Sequence, residues 1–237
     1  MQTRTIQYQD QETVLKGFYA VKEGKMKPRP AVIVTHDWTG RNEFACEKAQ
    51  LLAQLGYVGF AIDMYGDAKL GKTVDEKTQL IQPFLQRRQK LQQRIQAGFN
   101  CLLQQPEVDK NKIAAIGFCF GGLCVLDLAR MGTGILGVVS FHGLFNAPDN
   151  IKQPKIKAKI LALHGHDDPM VPPAQVLAFE TEMTAAKADW QIHVYGNTKH
   201  AFTNPEAHDE KLGTVFDAIA AKRSWQALEN FLQEIFH

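Results

Sequence analysis

This 237-residue chain has few of the residues that would tie it to a metal, a disulfide framework or a membrane. Its four cysteines, Cys46, Cys101, Cys119 and Cys124, follow no C-x-x-C spacing, and no histidine lies at a metal-finger distance from them. That pattern argues against a metal site, and in a reducing compartment structural disulfides are not expected. With a formal charge of +2, charged residues at 22% and no basic cluster, the chain has no field that would select nucleic acid or anionic lipid. Met1 to Asp10 alternates polar and apolar residues without a signal-peptide core, and no apolar run reaches membrane-spanning length. There is no internal repeat, low-complexity tract or Pro/Ser-rich linker. The expectation is a single cytoplasmic domain over residues 1–237 that handles a small molecule, with no organic or metal cofactor, as a monomer or small homo-oligomer.

Strand-like and helix-like segments alternate along the chain. Strands are expected at Thr13 to Ala20, Ala31 to Thr35, Tyr57 to Asp63, Ile113 to Phe118, Gly134 to Phe141, Ala158 to His164 and Trp190 to Tyr195. Runs such as Val32-Ile33-Val34 and Ile160-Leu161-Ala162-Leu163 are apolar throughout, as parallel strands covered on both faces should be. Helices are expected at Glu43 to Leu55, Phe120 to Met131, Pro173 to Ala186 and Glu210 to Phe236. Such a series predicts an α/β fold, with a mainly parallel sheet and right-handed crossovers.

In the Val74 to Gln104 stretch Pro83 interrupts the pattern, so a helix is expected at about Phe84 to Leu103. Its apolar stripe is Phe84, Leu91, Ile95, Gly98 and Leu102. By spacing Arg88 falls on that stripe, either as a snorkelling or locally paired side chain or as a contact for an anionic substrate. Arg87 and Arg94 flank the stripe and are expected to reach water.

Chemistry concentrates at Ile116-Gly117-Phe118-Cys119-Phe120-Gly121-Gly122. An apolar strand ending in Gly-x-Cys-x-Gly must turn sharply into a helix and push the Cys119 side chain into the open, with glycines keeping neighbouring Cβ atoms clear. A thiolate there is a strong nucleophile once a base takes its proton. Cys46, Cys101 and Cys124 fall within helical patterns and read as small buried hydrophobes. Downstream, Asp168 follows an apolar strand in His166-Asp167-Asp168-Pro169-Met170-Val171-Pro172, with Asp167 as a competing carboxylate and a plain Asp-Pro turn as the other reading. His200 follows the last predicted strand in Thr198-Lys199-His200-Ala201-Phe202. The order nucleophile, acid, base makes Cys119, Asp168 and His200 the candidate triad. The other histidines, His142 and His164 among them, lack that concordance.

An oxyanion formed at Cys119 would need fixed donors. Candidates are the backbone N–H of Phe120, opening a helix, and that of Trp38, in the loop after the Ala31 to Thr35 strand. An aromatic set of Trp38, Tyr65, Phe118, Phe120, Phe141 and Phe202 could line a pocket for an unsaturated or cyclic substrate, or could be ordinary core.

Taken together, Thr35-His36-Asp37-Trp38-Thr39-Gly40, Asp63-Met64-Tyr65-Gly66, Gly117-Phe118-Cys119-Phe120-Gly121-Gly122, Asp168-Pro169-Met170-Val171-Pro172 and His200-Ala201-Phe202 resemble the dienelactone hydrolase family of α/β-hydrolases. The resemblance implies a three-layer α/β-hydrolase fold with helices on both faces of a mainly parallel sheet. It also implies a Cys119-Asp168-His200 triad and an oxyanion hole from the backbones of Phe120 and Trp38. The family places a glutamate before the Trp38 position to help activate the cysteine, and this chain has Asp37, which could equally cap a turn. The family's substrate-gripping arginine shortly after the catalytic histidine has no counterpart, since Asn204 stands there and cannot form a bidentate clamp. Arg88, Tyr65 and Phe202 are then the candidate substrate contacts. The resulting expectation is an ester or lactone hydrolase working through a thioester. Its rivals are a non-catalytic ligand-binding protein and a thiol sensor on the same scaffold.

Overall fold

The computed structural model describes residues 1–24, 27–151 and 155–237, which form two compact units, Met1–Ile116 and Gly117–His237. Eight strands hydrogen-bond in the order β1-β2-β4-β3-β5-β6-β7-β8. They are β1 (Gln2–Asp10), β2 (Thr13–Val21), β3 (Arg29–Thr35), β4 (Val58–Ile62), β5 (Val108–Phe118), β6 (Gly137–Phe141), β7 (Lys159–Gly165) and β8 (Trp190–Tyr195). The ladders β3–β4, β6–β7 and β7–β8 are parallel, and β1–β2 and β2–β4 are antiparallel.

In the first unit α1 (Glu43–Gln54) packs on β2, β3 and β4, starting from Asn42, whose side chain accepts the Ala45 N–H. There β3 and β4 are buried almost along their lengths, because helices cover them and no position can be left polar. In the second unit α4 (Phe120–Arg130) packs on β6, α5 (Pro173–Ala185) follows the β7 loop, and α6 (Ala218–Phe236) packs on β6 and β7. All eleven residues of α4 are buried, which explains why its sequence carries no polar face apart from Asp127 and Arg130. These two pair with each other at 3.2 Å, and Arg130 also binds Glu182 and the carbonyl of Phe145.

Three expectations need correction. Gln2–Asp10 is a strand: its alternation of exposed and half-buried residues is that of an edge strand, joined to β2 by a tight turn at Gln11 with φ 52°. The helical break lies at Arg87 rather than at Pro83, so α2 (Val74–Gln86) and α3 (Arg88–Leu103) are separate helices. The missed signal is Thr73-x-x-Glu76, a capping box in which Thr73 Oγ1 accepts the Glu76 N–H and Glu76 accepts the Thr73 N–H. As a result the buried arginine is Arg94, not Arg88. Arg94 donates to Asp10 Oδ2 at 2.8 Å and to the Met64 carbonyl at 2.7 Å, while Arg88 is half-buried in the first turn of α3.

The third correction concerns the C-terminal helix, which begins at Ala218 rather than Glu210. Asp217 caps it by accepting the Ile219 and Ala220 N–H groups. Residues 208–215 form a small hairpin instead, β9 (His208–Asp209) and β10 (Thr214–Val215). Asp209 accepts the Lys211 and Leu212 N–H groups, and Gly213 turns the chain with φ 72°.

Candidate active site

Cys119 stands between the end of β5 and the start of α4 at φ 54°, ψ −114°. An L-residue adopts that conformation only under constraint. The turn is held by the Cys119 N–H, which donates to the Phe141 carbonyl at 3.0 Å, and by the Gly122 N–H, which returns to the Cys119 carbonyl at 2.9 Å. Gly117 is needed for close approach: a Cβ there would lie 2.0 Å from the Gly121 carbonyl oxygen. The thiol-bearing residue is half-buried.

His200 and Asp168 are brought together from two loops at the carboxyl ends of β7 and β8. Asp168 Oδ2 accepts from His200 Nδ1 at 2.7 Å, and both side chains are buried. The other Asp168 oxygen accepts the Met170 N–H at 2.8 Å, which fixes the carboxylate plane. The neighbouring Asp167 is exposed. The β9–β10 hairpin grips His200 on both sides. Its N–H donates to the Gly213 carbonyl at 3.0 Å, and its carbonyl accepts the Val215 N–H at 2.9 Å. Gly213 also packs on Pro169, beside the acid, so one hairpin holds both loops. Sequence reasoning, which placed a helix there, missed this device.

Burial opposes a charge on His200. A Cys119 thiolate, the Asp168 hydrogen bond and the Asp168 charge outweigh it and push the histidine up to about 10. Nε2 of His200 is buried and has no aligned hydrogen-bond partner. Cys119 raises the His200 pKa through both its charge and a hydrogen-bonding contact that falls short of full alignment, and such contacts tighten when substrate binds.

Around this pair, Phe118, Phe120, Phe141 and Phe202 are all at most 1% exposed, so each is packed within the protein. The Phe202 ring meets those of His142 and Tyr195 edge to face. Asn204 Oδ1 accepts the Glu206 N–H at 3.0 Å, which occupies the side chain with its own turn.

The first unit carries the other residues singled out in the sequence. Asp37 Oδ1 accepts the Thr39 N–H at 2.8 Å, an Asx turn that shapes the loop bearing Trp38. Tyr65 Oη donates to the Trp38 carbonyl at 2.9 Å. Asp63, fully buried, accepts backbone N–H groups from Lys16, Tyr65, Gly66 and Ala68, and so fixes the turn that presents Tyr65. His36 donates through Nδ1 to the Asp37 carbonyl and accepts the Met64 N–H at Nε2, and burial keeps its pKa below the usual value. These roles for Asp63 and His36 were not anticipated from the sequence, because a carboxylate nest needs donors 47 positions away, as from Lys16. Cys46 and Cys124 are buried as expected, whereas Cys101 is half-buried.

A mostly parallel sheet with connecting helices, a strained strand-to-helix elbow and an Asp-His pair at strand carboxyl ends are the architecture of an α/β-hydrolase. The model of the dienelactone hydrolase family matches residues 15–236, and the chain belongs to that family of hydrolases. A solved structure described as a dienelactone hydrolase-like promiscuous phosphotriesterase, P91, from metagenomic libraries superposes with a TM-score of 0.96. It is 38% identical and is covered over 100% of this chain and 99% of its own. The Caenorhabditis elegans protein K02A2.1 is 41% identical over 150 residues, 62% of this chain and 95% of that protein. A Yersinia pestis protein bearing the name carboxymethylenebutenolidase is 26% identical over 228 residues, 90% of this chain and 81% of its own. Among the described residues no helix is long and apolar enough to cross a membrane.

Proposed function

We propose that this protein is a cytoplasmic, cofactor-independent hydrolase of small carboxylic esters or lactones, acting through a Cys119-His200-Asp168 triad and a thioester. The observation that carries this reading is the strained Cys119 elbow beside a buried His200–Asp168 pair with Nδ1 tied to the carboxylate at 2.7 Å. The family match over residues 15–236 supports a single functional domain.

In this mechanism His200 Nε2 takes the proton from Cys119 Sγ, and the thiolate adds to the substrate carbonyl carbon. The backbone N–H groups of Phe120 and Trp38 are the proposed donors to the oxyanion, with Tyr65 steadying the Trp38 backbone. The intermediate collapses by breaking the C–O bond, and the leaving alkoxide takes the proton from His200. A lactone keeps its alcohol on the acyl group. Water then gives a proton to His200 and adds to the thioester, and the C–S bond breaks to release the acid and restore the thiol. Amides should be poor substrates, because a thiolate leaves more readily than an amine and the intermediate would revert.

Asp37 is the proposed assistant to cysteine activation, and Arg88 and Tyr65 the proposed substrate contacts, whereas Phe202, fully buried against His142 and Tyr195, is not proposed to touch substrate. With Asn204 turned to its own backbone, the family's carboxylate clamp after the histidine is lacking, which favours substrates less dependent on a carboxylate. The 38% identity with the promiscuous phosphotriesterase supports a second reading, in which the same nucleophile also accepts aryl phosphotriesters.

Turnover of p-nitrophenyl esters, dienelactone, other small lactones and an aryl dialkyl phosphotriester by Cys119→Ala and His200→Ala tests the proposal. Each variant, shown by thermal melting to be folded, should lose more than about a thousandfold in kcat. Retained turnover in both would sink it. Stoichiometric iodoacetamide labelling of Cys119 in a protein with no hydrolytic activity would favour the thiol-sensing alternative.

A further inference from the structure

One buried titratable group beside the triad has no part in the steps above. His142 follows β6 directly and sits at φ 37°, a left-handed conformation that a residue with a Cβ adopts at a cost. It is held there by its N–H, which donates to the Leu163 carbonyl at 2.8 Å. Strain of this kind persists where the surroundings over-determine it, and it concentrates at functional sites. The residue before it, Phe141, accepts the Cys119 N–H, so His142 is built onto the backbone that also holds the nucleophile.

The His142 ring stands edge to face against His200, with centroids 5.1 Å apart and planes at 64°. It also meets Phe202, again at 5.1 Å, and its Nε2 shares a hydrogen bond with Thr203 Oγ1 at 2.8 Å. Burial, and then the charge of His200, hold the His142 pKa well below its usual value. An uncharged ring can therefore lie against the cation that proton transfer creates. The His200 ring has an aligned hydrogen bond at Nδ1, whereas Cys119 engages it only loosely and Nε2 has no aligned partner. An imidazole hinged on one hydrogen bond swings unless something walls it, and displacement of about 1 Å at a reacting group can cost a hundredfold in rate.

We propose that His142 is a positioning residue, whose ring, locked by Thr203 and Phe202, walls the His200 imidazole and keeps Nε2 turned toward Cys119. The proposal rests on the triad reading given above. It is tested in the full chain with His142→Ala, His142→Gln, which keeps a hydrogen bond to Thr203 without the ring, and His142→Phe, which keeps a ring without the hydrogen bond. Three measurements are made: kcat and KM on a p-nitrophenyl ester, the rate of iodoacetamide alkylation at Cys119 by peptide mass mapping, and thermal melting.

Ala and Gln variants should lose roughly 10- to 100-fold in kcat with KM within about threefold, and their Cys119 should alkylate more slowly. The Phe variant should restore kcat to within about threefold of wild type. Wild-type kcat and alkylation in the Ala variant would overturn the proposal. So would a Phe variant as impaired as Gln, because a ring at this position would then not restore the wall, and so would a Gln variant with wild-type kcat beside an impaired Phe variant, which would assign the effect to the Thr203 hydrogen bond. Should the Ala variant not fold, the Gln and Phe pair decides. If Cys119→Ala and His200→Ala both keep turnover, the triad reading falls and the positioning role with it. If they lose turnover while the His142 variants stay wild type, only the positioning role falls.

Discussion

The link between Cys119 and His200 can be read without any substrate. In the native protein burial alone would hold the His200 pKa down, yet the ring is pushed up to about 10. The strongest of the opposing effects is the charge of a Cys119 thiolate, followed by the Asp168 hydrogen bond. Cys119→Ala removes the charge and the contact together and leaves Asp168 alone against desolvation. An opposite charge at this range shifts a neighbouring group by roughly one to three pH units, so His200 should titrate at roughly 7 to 9 in the variant. The sign follows from which form is favoured: the thiolate stabilises the imidazolium, so its loss lets the proton leave at lower pH. The ring resonances of His200 in a heteronuclear NMR titration report this directly, with assignment from His200→Gln. Asp168→Asn should move His200 down as well, since the hydrogen bond and charge at Nδ1 would be lost. A His200 that still titrates near 10 in Cys119→Ala would refute the reasoning, because the thiolate could not then be the group that holds the proton.

Gly213→Ala places a Cβ 2.4 Å from Pro169 Cγ at a residue with φ 72°, so the hairpin should shift and kcat should fall at least about tenfold with little change in KM; unchanged steady-state kinetics would deny the hairpin its role. Asp63→Asn turns an amide NH₂ toward backbone donors on one side of the nest, and chemical denaturation should show a loss of roughly 2–5 kcal/mol. Arg130→Met removes the cation that faces the fully buried Asp127 carboxylate at 3.2 Å, and the same experiment should show roughly 3–5 kcal/mol lost, much of it regained on adding Asp127→Leu. Additive losses in that double variant would mean that the pair does not act as a unit.

The elements that the sequence announces are those in which each residue's fate is settled locally. Apolar runs such as Val32-Ile33-Val34 became buried strands, and Gly117 and Gly121 flank an elbow that only a strand-to-helix turn explains. The β1 strand, by contrast, carries too few apolar residues to declare itself until β2 pairs with it, although its alternation was visible. The Thr73 and Glu76 capping box was also in the sequence and would have moved the break from Pro83 to Arg87. Arg94 could not have been preferred to Arg88 by spacing alone, because its partners, Asp10 and the Met64 carbonyl, lie 84 and 30 positions away.

At the site, residue types and their order on the chain were enough to make Cys119, Asp168 and His200 the candidate triad, with Asp167 still competing, because a nucleophile, acid and base of this fold would each follow a strand to reach the same edge. Only the tertiary structure shows that Asp168, not Asp167, is buried against His200, while Asp167 is exposed. Only it could reveal that a hairpin in place of a helix clamps His200, and that His142 stands against its ring. Those contacts join segments tens of residues apart, and their geometry depends on the packed sheet rather than on local preference.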